Sequence, residues 1–107
     1  MIDVLLPNRA DVLNHVISAP ITGVATVMAT AAELFAGVSR LSGRHKMLIK
    51  NEDPTLRIRL GSVSLTQQNG FPLEPGAVIE IDFDPTVDTP IYGISEGVVV
   101  KVAIMEY

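Results

Sequence analysis

The stretch Val78-Ile79-Glu80-Ile81-Asp82-Phe83-Asp84 alternates apolar and acidic side chains without a break. Successive side chains of a strand point to opposite faces, so Ile79, Ile81 and Phe83 face a core while Glu80, Asp82 and Asp84 face water. Leu56 to Leu60 repeats the pattern with Arg57 and Arg59 on the wet face, and Gly61 ends it. His45 to Asn51 alternates as well, with Met47 and Ile49 on one face and Lys46, Leu48 and Lys50 on the other. Val98 to Met105 forms a long last strand whose Val100, Val102 and Ile104 share one face. Its second face carries Lys101, Ala103 and Met105 and is rather apolar, which calls for a cover, either the N-terminal segment or a partner.

Short strands separated by turn signals at close spacing mark an all-β sandwich or barrel. Val24 to Met28 and Ile91 to Ile94 are further strands, whereas Ala31 to Ala36 is open between helix and strand. Ser39 to Gly43 and Pro85 to Pro90 read as loops, Asn51 to Pro54 as a turn and Glu96-Gly97 as a hairpin-type turn. Asn69-Gly70 and Pro75-Gly76 bracket Phe71-Pro72-Leu73, a short apolar plug. The fold expected is a single antiparallel β-sandwich, jelly-roll-like, over residues 23–107. Residues 1–22 differ in character. Val12, Leu13, Val16 and Ile17 share one face of a helical turn or two between Pro7 and Pro20, too short to be a stable helix alone. This segment is expected to be an extended or short-helical arm that packs on its own domain or on a neighbour. The interface candidates are therefore Val12, Leu13, Val16, Ile17, Ala103 and Met105.

Composition agrees with this reading. A chain of 107 residues fits one domain, and with 48% hydrophobic residues it can bury a modest core. Aromatics are 5% and Trp is absent, so the core must be built from Val, Ile, Leu and Ala, which favours strands. The net charge is −4. The basic groups Arg40/Arg44/His45/Lys46/Lys50 and Arg57/Arg59 lack the interleaved aromatics of a single-strand platform and read as solvated faces and loop ends. No nucleic-acid partner is expected. The chain has no cysteine, which excludes disulfides, Cys-based zinc sites and thiol chemistry. No apolar run is long enough for a membrane span, and the N-terminus does not read as a signal peptide.

The candidates for chemistry are few. Glu80, Asp82, Asp84 and Asp88 are the one dense carboxylate cluster, but a straight strand cannot wrap a calcium ion, and a hydrolase needs two acids across a cleft. Arg57 and Arg59 have the spacing to face these acids as cross-strand charge pairs. His15 and His45 stand outside any metal-binding spacing and read as surface or interface residues. Neither a Gly-x-Ser-x-Gly elbow nor a phosphate-binding glycine loop is present. No catalytic residue, metal or cofactor is expected.

Several motifs occur in a telling order. They are Thr30-Ala31-Ala32-Glu33-Leu34, then Arg44 to Asn51, then Leu56-Arg57-Ile58-Arg59-Leu60-Gly61. Next comes Val63 to Gly76 with its Gly-Phe-Pro-Leu-Glu-Pro-Gly ending, then Pro90 to Ser95, and a last strand that ends in Glu106. From Ala25 to Tyr107 the chain resembles small β-sandwich virion structural proteins of tailed bacteriophages; residues 1–24 lie outside the match. The resemblance implies a non-enzymatic part of a phage particle, made in the host cytoplasm; no membrane partner is expected. The reading preferred is a capsid decoration or cement protein, a homo-oligomer that bridges subunits of the major capsid protein. The alternative is a neck/tail adaptor or fibre-base protein of the same virion. A third reading, a host-surface or glycan-binding module, is disfavoured by the shortage of aromatics.

Overall fold

A computed structural model describes residues 20–107. Eight strands follow one another: β1 (Ile21–Val27), β2 (Ala32–Glu33), β3 (Lys46–Asn51), β4 (Ile58–Gly61), β5 (Phe71–Leu73), β6 (Val78–Asp82), β7 (Tyr92–Ser95) and β8 (Val100–Glu106). They form two four-stranded antiparallel sheets, a first sheet in the order β1-β8-β3-β6 and a second in the order β2-β7-β4-β5. The described residues contain no helix, and the layout is consistent with a β-sandwich.

Alternation builds the interior. Val27, Met47, Ile49, Val100, Val102 and Ile104 of the first sheet meet Ile58, Leu60 and Leu73 of the second, with Leu34 beside them. Ile79, Ile81 and Phe83 are half-buried and pack against this cluster. Branched aliphatic side chains fill the space between the sheets, as the scarcity of aromatics requires. Gly23 answers a close approach, because a Cβ there would collide with the Ala36 carbonyl.

Five sequence expectations need correction. Arg57 and Arg59 do not face the acids of β6, since β4 and β6 lie in different sheets. Arg57 pairs with Glu74 at 3.2 Å, and the β6 acids take Lys46, which lies 2.7 Å from Asp82 and 3.7 Å from Glu80. The strand expected from Leu56 starts only at Ile58, because local hydrogen bonds hold Leu56: its N–H donates to Asp53 Oδ1 (2.9 Å) and its carbonyl accepts from Asn51 Nδ2 (2.8 Å). Phe71-Pro72-Leu73 is an edge strand rather than a plug; Leu73 is buried, while Phe71 is 61% exposed. The Glu96-Gly97 turn does not make a hairpin, since β7 and β8 belong to different sheets and the turn is a corner between them. Gly97 supplies the positive φ of 122° that this corner needs. The last strand runs from Val100 to Glu106, with Val98 and Val99 exposed on the corner.

β1 begins at Ile21, so its first two residues fall in the segment assigned to the arm. Residues 1–19, with Val12, Leu13, Val16, Ile17 and His15, lie outside the described residues.

Candidate functional site

β8 lies inside the first sheet, between β1 and β3. Register partners in antiparallel strands point to the same face, which defines two outward rows. One row reads Thr22, Met105, Leu48, Glu80 and the other Val24, Ala103, Lys50, Val78. Ala103 and Met105, both expected at an interface, therefore sit side by side at the middle of this outer face, half-buried by their neighbours. Val24 and Val78 flank them at 58% and 55% exposure. A shallow groove of about 260 Å³ runs along the patch, lined by Leu48, Ala103 and Met105 with Thr22, Lys50 and Val78. No described segment covers it. A solvated strand face normally carries polar side chains, so this apolar stripe is a feature of the described surface that calls for a cover.

The second sheet is arranged otherwise. Ile58 and Leu60 face the core, so Arg59 and its register partner Ile94 face outward, yet Ile94 is only 6% exposed. The connection from β4 to β5 folds back over this face. Leu65 is buried and lies where Cβ atoms on Gly61 and Gly70 would point. Gln67 Nε2 donates to the Ser95 carbonyl at 3.0 Å, and Arg59 Nη1 to the Gly70 carbonyl at 3.3 Å. The turn is tightened by Asn69 Oδ1, which accepts the Thr66 N–H at 2.8 Å. Gly70 adopts φ 105° and leaves room for Leu65.

Two buried polar clusters, Glu106 with Arg44 and the bonds around Asn51, fasten the sandwich, and sequence reasoning missed both. Glu106, fully buried at the end of β8, accepts hydrogen bonds from the N–H groups of Ala36 (2.8 Å) and Leu41 (3.3 Å) and forms an ion pair with Arg44. Arg44 also donates to the Thr89 carbonyl at 2.5 Å and lies 4.2 Å from the centre of the Phe83 ring. It is thus a buried anchor, not part of a solvated basic face. The pair gathers the β2–β3 and β6–β7 connections onto the end of β8. Asn51 donates to the Leu56 and Leu73 carbonyls and accepts from the Asp53 N–H at 2.9 Å, which ties β3 to the second sheet. The inward position of Glu106 was legible in one respect: it continues the Val100, Val102, Ile104 alternation.

Four ionisable groups at the surface have local partners that shift their titration. A hydrogen bond to Asp82 raises the Lys46 ammonium above its usual range, and one to Glu33 does the same for Arg40. The Thr86 hydroxyl and N–H hold Asp84 below the ordinary carboxylate range, and the N–H groups of Thr55 and Leu56 do so for Asp53. Among the described residues no three His, Asp or Glu side chains come together as a metal site. His45 is half-buried at the start of β3, and its carbonyl accepts the Phe83 N–H at 2.8 Å. No family model, no curated protein and no solved structure matches the chain.

Proposed function

We propose that the protein is a structural component of a bacteriophage virion, a decoration or cement protein that bridges major capsid subunits. The observation that carries this reading is the bare apolar stripe of Val24, Leu48, Ala103 and Met105 on the first sheet. A strand face of this kind is suited to lie against another protein and adds buried apolar interface where it docks. Binding that favours the assembled shell over its separated subunits stabilises the shell by mass action. The fold is read more finely as a jelly roll. Eight strands in two sheets, ordered β1-β8-β3-β6 and β2-β7-β4-β5, support that assignment.

Particles assembled without the protein, compared with complete particles under heat and osmotic shock, test the role. The expected result is loss of resistance in the depleted particles and its recovery when purified protein is added back. Equal survival of the two preparations contradicts cementing.

A further inference from the structure

Among the described residues the four edge strands of the sandwich are β1 and β6 in the first sheet and β2 and β5 in the second. Exposed edges invite pairing with other chains, and proteins blunt them with short length, proline or charge. Three of the four edges are blunted in one of these ways. β2 has two residues, and β5 has three, of which Pro72 lacks an N–H. β6 carries Glu80 and Asp82, so pairing it antiparallel with a copy of itself about its central residue would set Glu80 against Glu80.

β1 differs on every count. Its seven residues, Ile21-Thr22-Gly23-Val24-Ala25-Thr26-Val27, include no charge and no proline. Among the described residues no backbone hydrogen bond reaches it from the side away from β8.

We propose that β1 is the seam along which a second copy of this chain docks, with the two β1 strands antiparallel about a two-fold axis at Val24. The strand is self-complementary in that register. On the outer face Val24 meets Val24 of the partner subunit and Thr22 meets Thr26 of the partner subunit, pairings that suit a pleated surface. On the inner face Gly23 meets Ala25 of the partner subunit and Ile21 meets Val27 of the partner subunit, a small pair and a β-branched pair, both suited to adjacent strands. A chain of net charge −4 repels its own copies, and this seam brings no charged strand residue opposite another. The contact is isologous and closes at two subunits. It joins the two first sheets into one eight-stranded sheet and makes their bare outer faces continuous. The inference stands on the edge strand and does not depend on the virion reading.

Sedimentation of the purified full-length chain over a range of concentrations tests the seam. The wild type is expected to sediment as a dimer. Val24→Lys sets two lysines against each other across the axis and is expected to weaken the dimer at least about tenfold. Because Val24 is an exposed side chain, the variant is expected to keep its strand circular dichroism and melting temperature. Val24→Glu is expected to behave the same way. Mixing the two variants places Lys opposite Glu and is expected to restore the dimer. A monomeric wild type, undiminished dimerisation of both variants, or a mixture that stays monomeric would each overturn the proposal.

Discussion

The loop of residues 62–70 lies over the outward face of the second sheet, with Leu65 and Ile94 buried between them, whereas no described segment lies over the outward face of the first. Chain connectivity explains the contrast. β4 and β5 are the one pair of consecutive strands that share a sheet, and their long connection doubles back over the face they share. Every strand of the first sheet is joined to strands of the second, so its connections run over the ends of the sandwich and none crosses its outer face. Among the described residues, topology thus covers one face from within and leaves the other bare.

The largest expected effect separates the inside of the first sheet from its outside. Glu106→Ala leaves Arg44 buried without its partner and is expected to cost about 3–5 kcal/mol of stability in urea unfolding. A loss below about 1 kcal/mol, the range of surface pairs, would mean that the pair is no anchor. Leu65→Ala attacks the cover of the second sheet. It is expected to cost about 2 kcal/mol, the low end for a buried leucine, since a loop can settle into part of the space. It should also raise binding of a dye that reports apolar surface. Unchanged stability and dye binding would show that the loop does not seal that face. Gly70→Ala should lift the same cover by another route, because its φ is positive and the new methyl would meet Leu65. About 1–3 kcal/mol is expected.

On the bare face the expectation reverses. Met105→Lys should shift stability by no more than about 0.5 kcal/mol while reducing attachment of the purified protein to depleted particles. Unfolding of this variant would mean that Met105 belongs to the core and would erase the contrast between the two faces. The smallest effect concerns acid. Asp53 and Asp84 are held below their ordinary range in the folded state, so the unfolded chain binds protons more readily. Their stabilising contribution is present above about pH 4 and is lost as the pH falls through the depressed values. Asp84→Asn should therefore flatten the acid limb of a urea-midpoint curve; a steeper limb would contradict the assignment.

Much of the fold was legible because period-two alternation marks both the strand and its buried side. Met47 with Ile49, and Val100 with Val102 and Ile104, are buried as the pattern requires. The same alternation put Ala103 and Met105 on the outward face of β8. What the pattern could not carry was sheet membership. Alternation is a property of one strand, whereas pairing depends on how all the connections cross, so the spacing of Arg57 and Arg59 says nothing of the fact that the β6 acids belong to the other sheet. Buried charge was hidden for a different reason. Arg44 and Glu106 look like solvent-facing residues taken singly, and burial becomes tolerable only when two distant positions meet and the N–H groups of Ala36 and Leu41 complete the set. The turns and apolar composition of Phe71 to Leu73 suggest a buried plug, but the open side of an edge strand leaves Phe71 exposed.

The proposed role lays the bare face of the first sheet on a capsid. Quantitative mass spectrometry of purified phage particles, with this chain scaled to the major capsid protein, tests it most directly. The account predicts many copies per particle, in fixed proportion to the capsid subunits. A count no larger than one ring of subunits would move the protein to the neck or tail and contradict decoration, and its absence from particles would contradict the virion reading altogether.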